Sequence, residues 1–232
     1  MSQKQKRTIV ILQPTYLPWL GYFDLIHKAD IFIIYDHVQF EKDSWQQRNK
    51  IRDKKGEILL TVPVLTKGRF GQTIKDVVID KSKNFASSHL KSIKYCYSKS
   101  ANFMIIFPEL EFIYSKSHNY LLDLNLDLIN LGVKMLGVKT KMLRSSNLDV
   151  KGKKVEALID ICDKLGATDY LSPIGSKEYI EENNLFDISE INLIYQNFQH
   201  PTYKQINYSD FISHLAFIDY LFNCTSINLF KN

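Results

Sequence analysis

The sequence predicts an α/β fold, a mostly parallel sheet with flanking helices, in a single domain over residues 1–232. Three observations predict it. The chain opens with a strand–helix–strand succession, apolar runs then alternate with amphipathic stretches to its end, and no internal repeat or low-complexity tract interrupts them.

The elements follow in order. Ile9 to Leu12 is an apolar run that reads as a buried strand. "FDLIHKA" has helical character, and "DIFIIYDHVQF" holds a continuous apolar, β-branched and aromatic run from Ile31 to Tyr35. Two strands joined through a helix are expected to lie parallel. "EILLTVPVL" and "TIKDVVI" read as further strands, linked by "TKGRFGQ", whose glycines mark a mobile loop. From about Phe85 to Val133, apolar residues recur at spacings of three and four, which predicts a helical insertion or cap. It comprises "FASSHLKSIKYCYSKS" and one long helix starting at Pro108, a residue suited to a first turn. "KTKMLRSSNL" is a strand, and "KKVEALIDICDKLG" an amphipathic helix capped by Gly166. "TDYLS" and "INLIYQNF" are strands separated by the loop "PIGSKEY". The last helix, "DFISHLAFIDYLFN", aligns Phe211, Leu215, Ile218 and Phe222 on one face.

Composition narrows the function classes. The net charge of +5 is modest and spread out, densest at Lys4–Arg7, Lys50–Lys55 and Lys151–Lys154. A nucleic-acid binder clusters its charge or shows a recognisable module, so no nucleic-acid partner is expected. Cys96, Cys162 and Cys224 sit far apart in apolar helical patterns, as buried thiols do, and neither zinc nor a disulfide framework is expected. No H-x-x-x-H or H-E-x-x-H pattern points to a metal. "MSQKQKR" precedes no signal-length apolar core, and no apolar run approaches the roughly 18 residues of a membrane span, so a cytoplasmic location is expected.

Ligands of parallel sheets bind beyond the carboxyl ends of the strands. Gln13, Tyr16, Trp19, Gly21 and Tyr22 follow the first strand; Asp36, His37 and Gln39 follow the second. If those strands are adjacent and parallel, two segments deliver polar and aromatic groups to one edge. Asp36 is a candidate base or a ligand for an amine, and Gln39 suits recognition. Arg48 is a candidate clamp for phosphate or carboxylate, with Asn49 beside it. His200, between a strand and a proline, is the candidate general base, and His89 is placed to face the cleft. Ser172, Gly175, Ser176 and Lys177 lie between a strand and a helix, where phosphates are often held. Each has a plainer reading: a packed loop for Trp19, a turn brace for Asp36, a surface ion pair for Arg48, an ordinary N-cap for Ser176. No G-x-S-x-G elbow, Walker loop or G-x-G-x-x-G fingerprint is present.

Taken together, "QPTYLPWLGYFDLI", "DIFIIYDHVQF", "SWQQRNKI", "LGATDYLSPIGSKEYI", "HPTYKQ" and "FIDYLFN" resemble the WbqC-like family. That family occurs in bacterial O-antigen and related surface-polysaccharide (lipopolysaccharide) gene clusters, and a glycine or similar acyl transfer onto a sugar has been suggested for it. Its recurring polar positions correspond to Gln13, Tyr16, Gly21, Tyr22, Asp36, Gln39, Arg48, Asn49, Tyr203, Gln205 and Asp219. His37 replaces the acidic residue expected after the aspartate, and the glycine expected after "LFN" is missing. The layout is also similar to adenylate-forming nucleotidyltransferases of the pantothenate synthetase (HUP) kind. Those carry H-x-G-H where this chain has Trp19-Leu20-Gly21-Tyr22.

The resemblance implies acyl or aminoacyl transfer onto a nucleotide-linked amino sugar. Asp36 or His200 would take the proton, and Gln13, Tyr16, Trp19, Tyr22, Gln39, Arg48, Asn49, Ser172, Lys177, Tyr203 and Gln205 would bind substrate. The donor stays open between ATP-activated substrate, coenzyme A and an acyl carrier. An ATP-dependent ligase and a non-catalytic sugar-nucleotide binding scaffold are the alternatives.

Overall fold

The computed structural model describes residues 5–182, 184–206 and 210–230; Lys4 of the first basic stretch lies outside them. The chain clusters into two compact units. The first comprises Met1–Gln13, Asp24–His37 and Lys139–Gln199; the second comprises Pro14–Phe23, Val38–Val138 and His200–Asn232.

The first unit carries a five-stranded parallel sheet. Its strands are β1 (Thr8–Leu12), β2 (Ile31–Ile34), β5 (Lys141–Arg144), β6 (Asp169–Ser172) and β7 (Asn192–Tyr195), in the order β5-β2-β1-β6-β7. β1 pairs with β2 from Ile9↔Ile31 to Leu12↔Ile34, so the two strands read from the sequence are indeed adjacent and parallel. α1 (Leu20–Lys28) precedes β2, and its residues from Asp24 onward belong to this unit. α5 (Val155–Lys164) and the short α6 (Lys177–Glu181) complete it. Ile9, Ile11, Ile33 and Tyr170 pack with Val155, Leu158, Ile161 and Cys162 of α5 in one buried cluster. Burying those side chains supplies most of the drive to form the layer. Gly166 takes φ +64 just past the end of α5, the left-handed position that glycine fills without a Cβ clash.

Counted alone, the five parallel strands follow the order 3-2-1-4-5. The chain winds outward from β1 through β2 to β5, then returns to β6 beside β1. The direction therefore switches between β1 and β6, where the carboxyl ends open a crevice in doubly wound sheets.

The second unit pairs β3 (Arg48–Asp53) with β4 (Gly56–Thr61) in an antiparallel hairpin, and holds α2 (Phe85–Tyr97), α3 (Phe103–Ser115), α4 (Leu121–Leu136) and α7 (Phe217–Asn223). Several elements differ from expectation. "RNKIRD" forms a strand although it is largely polar, because the hairpin ladder satisfies its backbone, and only Asn49, Ile51 and Arg52 are buried. "TIKDVVI" is a 3-10 turn at Ile74–Asp76 with isolated bridges rather than a strand. The long helix expected from Pro108 is two: Ser117, at φ +52, breaks the chain between α3 and α4. Pro108 lies inside α3, not in its first turn. The final helix begins only at Phe217; the preceding stretch is held open by His214 at φ +60 and by Ala216 N–H on the Lys50 carbonyl. Cys224 accordingly sits at the C-cap of α7, half-buried, while Cys96 and Cys162 are buried.

Candidate functional site

In the first unit, Gln13 follows β1 and is exposed, and Asp36 follows β2 by two residues. Asp36 is fully buried. One carboxylate oxygen accepts from Arg144 Nε at 2.6 Å and Ser146 Oγ at 2.9 Å; the other accepts from Ser145 Oγ at 3.0 Å and Ser146 N at 2.9 Å. Burial opposes its charge, but the Arg144 bond and those from Ser146 outweigh it and hold the carboxyl below the usual carboxylate range. A carboxylate has about four lone-pair sites, and here all are used. The arrangement ties the end of β2 to the turn after β5. Ser145 Oγ spends its proton on Asp36, so His37 Nδ1 donates to it, at 2.7 Å.

Ser172, at the end of β6, is fully buried, so its hydroxyl faces the interior. Lys177 is exposed, with Nζ 5.7 Å from the centre of the Tyr195 ring. On the inner turns of α1, Asp24 accepts from Lys28 Nζ and from Gln196 Nε2, each at 2.8 Å.

The second unit holds a cavity of about 270 Å³ lined by Thr15, Trp19, Tyr22, Trp45, Asn49 and His214. Both tryptophans of the chain line it, and no residue of the lining is Asp, Glu, Lys or Arg. The loop before α1 explains how it forms. Leu17 takes φ +45, a left-handed conformation unfavourable to leucine. Asn49 Nδ2 donates to the carbonyls of Tyr16 and Leu17, at 3.3 and 2.6 Å, and holds that turn. Pro18 O accepts from Phe217 N, and Trp19 bridges to Ala216. The indole then folds over Gly21, where an added Cβ would come within 2.1 Å of the ring. Glycine is required there for close approach, a reason the sequence alone does not reveal.

Two imidazoles flank the indole. His214 stacks on Trp19 with ring centres 4.8 Å apart, His200 lies nearly parallel to it at 6.4 Å, and the two imidazoles are 5.1 Å apart. His200 Nδ1 donates to the Pro201 carbonyl at 2.9 Å, which leaves Nε2 as the ring's acceptor. Burial lowers the His200 pKa from 6.5, the Pro201 bond works against that, and proximity to His214 lowers it further. The ring is therefore neutral at neutral pH.

The loop bearing both histidines is anchored from below by Asp219 of α7, which is fully buried. Asp219 accepts from Tyr97 OH and Tyr203 OH, both at 2.7 Å, and from Gln205 Nε2 at 2.8 Å. Gln205 also closes the loop on Ile212, donating to its carbonyl and accepting its N–H. Tyr203 and Gln205 thus shape the site from behind.

Apart from Tyr22, the remaining expected site residues do not line this cavity. The Tyr16 ring is fully buried, its hydroxyl bonded to His89 and Tyr114. Tyr22 reaches the cavity wall, and burial raises its pKa well beyond the ordinary phenol value. Gln39 is exposed and bridges to Thr73. Arg48 opens β3, half-buried, 3.9 Å from Asp43. Trp45 and His214 were not singled out by sequence reasoning. His214 was hidden by the helical pattern around it, whereas the tryptophan beside "QQRN" was a legible signal. Among the described residues, no group of three or more His, Cys, Asp or Glu side chains is arranged to hold a metal ion. Nor is any helix among them long and apolar enough to cross a membrane.

The fold is that of an α/β protein whose second unit holds an aromatic cavity. Residues 13–229 match the model of the WbqC-like protein family, and the chain belongs to that family. It is also similar to Rv1507c of Mycobacterium tuberculosis, an uncharacterized protein, at 35% identity over 219 residues covering 94% of each chain. No solved structure matches the chain significantly.

Proposed function

We propose that this protein transfers an acyl or aminoacyl group, with glycyl the first to test, onto the amine of a nucleotide-linked amino sugar in surface-polysaccharide synthesis. The observation that carries the reading is the aromatic cavity, lined by no Asp, Glu, Lys or Arg, with the neutral His200 beside its tryptophan. Indole faces stack on the C–H faces of sugar rings, and such a lining favours a neutral ring over a phosphate.

In the reaction the sugar nitrogen attacks the acyl carbon, a C–N bond forms, and the bond from that carbon to its carrier breaks. The attacking amine sheds one proton, which His200 Nε2 accepts and passes to the departing carrier group. Asp36, whose lone pairs are all occupied, braces the sheet end rather than serving as this base.

A thermal-shift series tests the reading: nucleotide-linked amino sugars, their non-amino counterparts, ATP and coenzyme A. A hundredfold excess over the dissociation constant stabilises by about 2.7 kcal/mol. Stabilisation by the amino sugar nucleotide, lost in Trp19→Ala, is the expected result. Turnover in His200→Gln is expected to fall by about a hundredfold or more with binding retained. Stabilisation by ATP alone would replace the transferase with an adenylating ligase.

A further inference from the structure

Away from the aromatic cavity, the second unit contains a larger cleft of about 640 Å³. Its walls come from stretches distant in sequence: Lys42 ahead of β3, Thr61 at the end of β4, Asp80 and Lys83 ahead of α2, and Ser88 and His89 within α2. We propose that this cleft is a second ligand site, which holds the oxyanion of a small ligand, a carboxylate or a phosphate. The proposal is independent of the transferase reading.

The charges on the wall favour an anion. Lys42 and Lys83 both line the cleft, and both residues are exposed at its rim. Asp80, the acid among the lining residues, is turned onto its own turn: its Oδ1 accepts from Ser82 N at 3.1 Å and from Ser82 Oγ at 2.6 Å. Hydroxyls of Thr61 and Ser88 add donors of the kind that carboxylates and phosphates use.

His89 is the buried part of the wall. Its Nδ1 is hydrogen-bonded to Tyr16 OH at 2.8 Å, and Tyr16 OH is bonded in turn to Tyr114 OH. Nε2 is the ring nitrogen outside that chain. Phe85 packs edge-on against the ring with centres 5.3 Å apart. The three polar side chains are more than nine-tenths buried. A leucine would fill the same space without needing partners, whereas this chain fixes an imidazole in the cleft wall.

An oxyanion in the cleft would lie beside the imidazole and favour its protonated form. Burial pushes the pKa of the unliganded His89 down to about 4, with the Thr61 backbone acting in the opposite direction. The groups facing it are the neutral phenols of Tyr16 and Tyr114 on the inner side, with Lys42, Lys83 and Asp80 around the cleft. A ligand anion should therefore raise the titration midpoint.

The test follows the His89 Cε1–H resonance through pH titrations of the full chain with inorganic phosphate or with acetate. The expected result is a saturable shift of that resonance and a midpoint raised by about one unit, a tenfold change in proton affinity. The anion that saturates identifies the ligand class as phosphate or carboxylate. Lys42→Ala and Lys83→Ala lie on the surface, should fold normally, and should each weaken the anion by about fivefold. Neither should alter stabilisation by a sugar nucleotide, so failure of this proposal and failure of the transferase reading are separable. Absence of saturation with both anions, or an affinity unchanged from the parent in both lysine variants, would overturn the proposal.

Discussion

Two aspartates, one in each unit, are fully buried, and their surroundings drive them in opposite directions. Asp36 meets a guanidinium, a backbone N–H and two serine hydroxyls, and is held ionised with its pKa lowered. Asp219 meets two phenols and a carboxamide, with Arg52 as the favourable charge. Burial is the largest influence on Asp219, and those hydrogen bonds only partly offset it, so its pKa is raised. The difference teaches that burial alone does not decide the state of a carboxyl. A directly bonded cation and a backbone N–H stabilise the anion, whereas neutral hydroxyls and amides leave the proton nearly as welcome.

Replacing each carboxylate by its amide is the most direct way to break the comparison. Asp36→Asn turns an amide N–H₂ toward fixed donors and leaves Arg144 without its counter-charge, and should cost about 3 kcal/mol in chemical denaturation. Asp219→Asn should cost only about 1 kcal/mol, because phenol hydroxyls can rotate to adapt. Equal losses in the two variants would show that their surroundings are not as different as the geometry implies.

The pH dependence sharpens it with opposite signs. Asp36, with its native pKa lowered, contributes stability that is fully present above its unfolded value of about 3.9 and is lost as pH falls through the native value. Asp219, with its native pKa raised, does the reverse. As pH falls through that raised value, the native state takes up a proton before the unfolded chain does, and stability rises. Subtracting the stability profile of Asp219→Asn from that of the parent should leave a term that declines as pH rises above about 4. A flat difference would place the Asp219 pKa at its unfolded value.

Smaller changes separate the consequences for ligand binding. Tyr203→Phe removes one donor from Asp219 and should cost about 1 kcal/mol. It also loosens the loop that carries His200 and His214, so it should weaken the ligand of the aromatic cavity. Arg144→Lys keeps the charge beside Asp36 but loses the Nε geometry. Because Arg144 is more than one-third exposed, a loss of about 0.5 kcal/mol is expected, with ligand affinity unchanged. Calorimetry of the two variants against the same sugar nucleotide checks the pair.

How much of this was legible depended on how much each signal was local. β1 and β2 were plain because strands buried on both faces read as continuous apolar runs. β3 was not, since "RNKIRD" shows no such run and becomes a strand only when "GEILLT" supplies its ladder. Trp19 stood out in the sequence, but its setting did not. The need for glycine at position 21, the left-handed Leu17 and the two flanking histidines arise from contacts between segments far apart in the chain. Asp219 was visible only as a recurring family position, for nothing in "FIDYLFN" indicates that its carboxyl will face two tyrosines.

The sequence by itself determined the alternation of strands and helices, the parallel pairing at the start of the chain and family membership. These rest on hydrophobic period, turn residues and local motifs, which are properties of neighbouring residues. The tertiary structure alone decided which aspartate stays charged, which histidine meets the tryptophan and which residues form a cavity wall. Those outcomes depend on desolvation and on hydrogen-bond partners brought from distant parts of the chain, and no reading of adjacent residues contains them.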